Sequence, residues 1–182
     1  MRKRIVDYNK TLPINELYIA VQGEGSRVGM PTIVIRTIGC NLRCYFGEKG
    51  GFCDSWNNSW KLEKGKFTFN DIVKIYDENP HIKEMMLTGG GPTKHKALAN
   101  ELTYFAKERG IFITMETEVS EILETDNPID LISMSPKFSN SIPVVGVITP
   151  YGTETTQKQV DRHEKDRIND EAVIHMMNFH SD

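Results

Sequence analysis

No stretch of this chain approaches the roughly 18 consecutive apolar residues of a membrane-crossing helix. The start, Met1-Arg2-Lys3-Arg4-Ile5-Val6-Asp7, is basic with no apolar run behind it, so it reads as a solvated end rather than a leader. Neither sign of charge dominates. With 22 lysines and arginines against 25 acidic residues, the formal net charge is −3, too little for a global field that draws a protein to nucleic acid or membrane. Repeats and low-complexity segments are absent. Cysteine is scarce: three among 182 residues, an odd count without a secretory signal, argues against a disulfide framework. A cytoplasmic location is the expectation, because thiols stay reduced there and free to act as ligands.

The cysteines that are present share one loop, Cys40-Asn-Leu-Arg-Cys44-Tyr-Phe-Gly-Glu-Lys-Gly-Gly-Phe-Cys53. Three thiolates can hold three corners of an iron–sulfur cube and leave the fourth iron open to a substrate or cofactor. Zinc is the competing occupant, since three cysteines and one histidine make a closed structural site. No histidine lies between Cys40 and Cys53, and the nearest in sequence is His81. From the residues alone a cluster, zinc and unliganded thiols all stay open.

The length suits a single domain spanning residues 1–182. Pro13 to Val21 reads as a strand that stops at the turn signal Gln22-Gly23-Glu24-Gly25, and Pro31 to Gly39 as a second strand that delivers the chain to Cys40. Asn70 reads as the N-cap of a helix over DIVKIYDE. Next come a strand over Lys83 to Thr88, a helix over Lys94 to Arg109 closed by Gly110, and a strand over Ile111 to Met115. A short helix over VSEILET and a strand over Ile129 to Met134 follow. Further on, PVVGVIT suggests one more strand, Thr153 to Glu171 is a charged stretch, and AVIHMMNF reads as a short apolar helix. His163, His175 and His180 read as solvated or helix-face residues, not ligands.

This alternation predicts an α/β fold with a mostly parallel sheet and right-handed crossovers. Such sheets place their chemistry beyond the carboxyl ends of the strands. The clusters QGEG, the cysteine loop, GGGP, ETE and SPK each follow an expected strand, so the pattern brings all of them to one rim.

Taken in order, PINEL through QGEG, PTIVIRTIGCNLRC, Cys53-Asp54-Ser55, TGG at 88–90, Glu116-Thr117 and SMSPK at 133–137 resemble the 7-carboxy-7-deazaguanine synthase family over about residues 13–140. The resemblance implies a partial, open βα barrel of the radical S-adenosylmethionine type. It also implies conversion of 6-carboxy-5,6,7,8-tetrahydropterin to 7-carboxy-7-deazaguanine with loss of ammonia, by a radical generated from S-adenosylmethionine. Cys40, Cys44 and Cys53 would carry a [4Fe–4S] cluster. Val21, Gln22, Gly23, Glu24, Arg36 and Thr88 would hold the pterin, with Arg36 on its carboxylate in place of an ordinary ion pair with an acidic neighbour. Phe52, Cys53, Asp54, Gly90, Ser135, Pro136 and Lys137 would bind S-adenosylmethionine, and Ser55 would bind Mg2+. Trp56 and Trp60 are left to packing. An external electron donor and a homodimer are implied as partners, with no nucleic acid and no membrane.

The chain also departs from that pattern. Cys-x3-Cys-x8-Cys is longer than the commonest radical-enzyme spacing, and Gly47, Gly50 and Gly51 are expected to let the loop close. Gly91 replaces an expected glutamate that pairs with the cofactor's amino group, with Glu116 or Glu118 as candidates to compensate, and ETEVS stands where ETNGT is typical. The segment from about 141 to 182 is expected to be atypical or truncated. These departures leave two other readings: a catalytically impaired binding protein, or a small glycyl-radical-activating enzyme.

Overall fold

The computed structural model describes residues 3–61 and 63–179. The expectations placed on Met1, Arg2 and His180 lie outside the described residues. Among the described residues, no helix is long and apolar enough to cross a membrane.

Five strands, β1 (Ile14–Val21), β2 (Pro31–Thr37), β3 (Glu84–Gly89), β4 (Phe112–Thr117) and β5 (Leu131–Met134), lie side by side in chain order in one open sheet. The pairs from β2 to β5 are parallel, and β1 alone is antiparallel to its neighbour, with Val21 opposite Pro31 and Ile14 opposite Thr37. The connection from β1 to β2 is too short for a crossover helix, so the chain can only turn back on itself. Among the described residues there are also six α-helices: α1 (Gly47–Gly50), α2 (Trp56–Ser59), α3 (Phe69–Glu78), α4 (Lys96–Arg109), α5 (Gln157–Asp166) and α6 (Asp170–Phe179).

Side chains of a strand alternate between its two faces. Odd-numbered Ile33, Ile35, Met85, Leu87, Ile113 and Met115 all enter the core, together with Phe69, Ile72 and Tyr76 of α3 and Leu98, Leu102 and Phe105 of α4. Even-numbered Tyr18, Thr32, Val34, Arg36, Met86, Thr88 and Glu116 face the opposite way, into a cavity. One face is thus an oily floor for helices, and the other is the inner wall of an incomplete barrel.

Local signals account for several element ends. Gly110 closes α4 in the left-handed conformation at φ 61, as its position after Arg109 suggests. The N-cap of α3 is Thr68, not Asn70: the Thr68 side chain accepts from the Asp71 backbone, and Asp71 returns the bond to the Thr68 N–H at 2.7 Å. The expected VSEILET helix does not form. Val119 takes φ 58, and its N–H is held by Thr117 Oγ1 at 3.0 Å, a geometry that turns the chain away from a helix. PVVGVIT adds no strand to the sheet, and its pairing is one isolated bridge between Ile148 and Glu154.

The segment beyond Ser141 packs onto the cysteine loop. Tyr45 N–H donates to Ser141 O at 2.9 Å, Tyr151 OH to Trp60 O at 2.7 Å, and Arg162 to Asn41 Oδ1 at 3.1 Å. His163, expected at a solvated face, is instead fully buried. Its Nδ1 accepts the Arg43 N–H at 3.0 Å, and its Nε2 lies 3.1 Å from Ser141 Oγ, whose own proton goes to Phe138 O at 2.7 Å. That network assigns the neutral tautomer protonated at Nε2. Helix α5, which carries the imidazole, starts from a capping box of Thr156 and Gln159.

Burial holds the His163 pKa down to about 4, from an ordinary 6.5. The unfolded chain takes up this proton first, so folding stability declines as pH falls from 6.5 to about 4. We predict that His163→Ala costs about 2–4 kcal/mol near neutral pH, because it leaves a cavity and a buried N–H without a partner. Chemical denaturation of the metal-free protein should also show a flatter pH dependence over that window. A variant as stable as the parent at neutral pH would contradict the clamp.

Candidate functional site

The cysteine loop starts where β2 ends. Gly39 N–H donates to Asn58 O at 2.7 Å, and Leu42 N–H points at Cys40 Sγ at 3.3 Å. The eight residues between Cys44 and Cys53 fold back as a small hairpin around α1, with Tyr45 bridged to Phe52 and Cys53 N–H donating to Cys44 O at 3.2 Å. Gly47 and Gly51 turn this hairpin at φ 76 and 68, conformations that side chains resist. The long spacing therefore still sets the second and third cysteines beside each other. Trp60 does more than pack: its Nε1–H donates to Cys44 O at 3.1 Å, and its ring meets Phe52 edge-on at 5.0 Å. Trp56 stacks on Tyr151 at 6.4 Å.

All three cysteines line one cavity of about 560 Å³ whose far wall is the inner sheet face. Burial pushes each thiol up, Cys44 to about 12, so without a cation the thiols stay neutral. A metal would supply the compensating charge. Among the described residues, no three His, Cys, Asp or Glu side chains converge where one metal ion would sit. A closed zinc site needs such convergence, whereas a cube gives each thiolate its own iron. The donor set fits a cluster.

The rim is assembled differently from the expectation. The clusters after β2, β3, β4 and β5 share one end of the sheet, but antiparallel β1 carries Gln22-Gly23-Glu24 to the other end. Val21, Gly23 and Glu24 reach the same cavity because it extends along the inner face. Gln22 is buried and is not part of the cavity lining; its backbone closes the turn, donating to Met30 O and accepting from Gly29 N–H.

Arg36 is not a buried, unpaired cation. It is half-buried, with Nε donating to Glu16 at 3.0 Å, one terminal nitrogen to Ser55 Oγ at 3.2 Å and the other to Tyr18 OH at 3.3 Å. The ordinary ion pair is therefore present, and two of the five N–H groups remain for a ligand. Ser55 is a poor fit for Mg2+, since its hydroxyl accepts from a guanidinium whose charge opposes a dication. Thr88 Oγ1 donates to Glu116 Oε2 at 2.8 Å. Burial first, and then the nearby Glu24, hold Glu116 above the usual carboxylate range.

Of the residues assigned to S-adenosylmethionine, Cys53, Asp54, Gly90, Ser135 and Lys137 line the cavity, and Phe52 and Pro136 do not. The Phe52 ring is committed to Tyr45, at 4.8 Å, and to Trp60. Lys137 Nζ donates to Ser135 Oγ at 2.8 Å. The roles of Glu16, which lies in PINEL, and of Tyr18 become visible only once β1 is seen to pair with β2.

No family model matches the chain. Its sequence is 39% identical over 132 residues to 7-carboxy-7-deazaguanine synthase of Halobacterium salinarum, covering 72% of this chain and 48% of the relative. Against the synthase of Rhodopirellula baltica the identity is 34% over 133 residues, covering 73% and 48%. This chain is similar in sequence to the 7-carboxy-7-deazaguanine synthases. It spans about half the length of the curated synthases it matches. The crystal structure of QueE from Escherichia coli shares the fold, with a TM-score of 0.57 and 22% identity over 82% of this chain and 66% of that one. That likeness agrees with the open βα architecture read from the sequence.

Gly90 is where the β3 loop meets the backbone on either side of the cysteine loop: a Cβ there would lie 2.5 Å from Gly39 O and 2.9 Å from Asn58 O. We predict that Gly90→Ala destabilises the protein by about 2 kcal/mol or more, measured by chemical denaturation, because only backbone can yield. An unchanged midpoint would mean that this approach is not tight.

Proposed function

We propose that this chain is a radical S-adenosylmethionine lyase acting on a carboxylated tetrahydropterin, as the names of its synthase relatives suggest. The observation that carries the reading is that three thiols share one wall of a cavity whose other wall is the polar inner face of the sheet. Cys40, Cys44 and Cys53 would hold a [4Fe–4S] cluster. When bound, cluster and cofactor together supply one-electron cleavage of a sulfur–carbon bond.

The chain's own residues bind, orient and exclude water. The backbone at Gly90, the Asp54 carboxylate and the Ser135–Lys137 turn would hold S-adenosylmethionine, with Phe52 and Pro136 contributing at most backbone. The two spare Arg36 donors would take the substrate carboxylate, while Tyr18 and Glu16 fix the guanidinium plane. Opposite them, the carboxyls of Glu24 and Glu116 line the same cavity and would accept from the N–H groups of the pterin's aminopyrimidinone edge. The backbone of Val21 to Gly23 would close over the ring. An external one-electron donor is required. A second copy of the chain is the proposed cover for the β1 edge, where Ile19 is exposed.

Anaerobic reconstitution with iron and sulfide should give an absorption band at roughly 400 nm. Reduced protein with S-adenosylmethionine and 6-carboxytetrahydropterin should then release 5′-deoxyadenosine and 7-carboxy-7-deazaguanine. Arg36→Ala should raise KM about 10- to 100-fold, the loss of a charge-assisted contact, with the band unchanged. An intact cluster that yields neither product favours a binding protein without turnover.

A further inference from the structure

At the end of β4 a carboxylate lies buried in the cavity wall with no cation beside it. Glu118 is 6% exposed, and the donors that meet its carboxylate are all neutral: Ser120 Oγ donates to Oε1 at 2.6 Å, Thr117 Oγ1 to Oε2 at 3.5 Å, and its own backbone N–H also contributes. Among the described residues no lysine, arginine or histidine forms an ion pair with it. Burial pushes its carboxyl up, Lys137 draws it down from a distance, and Glu121 opposes that pull. It lines the same cavity as Cys40 and Cys44, and its charge pushes both thiols up. A buried carboxylate next to three prospective thiolates is costly unless a cation arrives.

Position 91 makes room for it. A Cβ on Gly91 would lie 2.6 Å from Glu118 Oε1, so the glycine and this carboxylate pose form a single feature. A side chain at 91 would force the Glu118 carboxylate to shift from this pose.

We propose that Glu118 is the residue that binds the α-ammonium of S-adenosylmethionine, reaching from β4 into space that Gly91 leaves open. This rests on the functional reading above. The ammonium supplies the missing positive charge, and the Ser120 and Thr117 hydroxyls hold the carboxylate for it. A cation bound there also relieves the repulsion that Glu118 exerts on the thiolates.

The test is equilibrium dialysis with reconstituted protein. In Glu118→Gln, affinity for S-adenosylmethionine should fall tenfold or more, with iron and sulfide content unchanged. S-adenosylhomocysteine, which keeps the ammonium but lacks the sulfonium, should lose affinity by the same factor. Methylthioadenosine, which lacks the amino-acid end, should bind as before. Moving the carboxylate across, in Gly91→Glu combined with Glu118→Ser, should restore binding. If the parent protein binds no S-adenosylmethionine, both the functional reading and this assignment fall. If the parent binds and Glu118→Gln binds equally well, the assignment alone falls. It falls also if the variant loses iron, or loses methylthioadenosine in parallel.

Discussion

The hydrogen bond from Cys53 N–H to Cys44 O is the constraint on which the site depends. Without it, eight intervening residues would let the third thiol wander, and the cavity would have two cysteines rather than three. The hairpin that makes this bond is itself held from outside. Trp60 grips Cys44 O, Ser141 O takes the Tyr45 N–H, and His163 takes the N–H of Arg43 next door. The Tyr45 and Arg43 N–H groups find their acceptors in this way, and Cys44 O accepts from both Cys53 and Trp60, so the loop is tied down although little regular structure runs through it.

A second consequence follows from strand periodicity. Because odd positions of β2, β3 and β4 fill the core, even positions must supply the inner wall, and there the chain carries Thr32, Arg36, Thr88 and Glu116. The wall is divided electrically. Arg36 and Lys137 provide positive charge, and Glu24, Glu116 and Glu118 provide negative charge, in the same cavity as the three thiols. Such a surface is suited to a ligand pair with both anionic and cationic groups, and it disfavours simple apolar cargo.

Much of the fold was legible in the sequence because it is local. The four parallel strands and α4 show up as apolar runs and periodicity, and Gly110 marks its helix end without ambiguity. The thiols were legible because cysteine is so rare here. What was hidden is non-local. The direction of β1 depends on where the chain returns, Glu16 and Tyr18 matter only through their pairing with Arg36, and His163 is buried by a loop far away in sequence. VSEILET misled because its helical spacing is overridden by the Thr117 hydroxyl holding Val119 at positive φ. The space at Gly91 was visible as a departure from a motif, but that Glu118 fills it is a fact of three-dimensional structure.

The central claim is that these three thiols carry a cluster with one iron open toward the inner face. Electron paramagnetic resonance of the reduced, reconstituted protein tests it most directly. The account predicts a [4Fe–4S] signal whose g-values shift when S-adenosylmethionine is added, since the cofactor reaches iron. A protein that takes up zinc and no cluster, or a cluster signal indifferent to the cofactor, would contradict it.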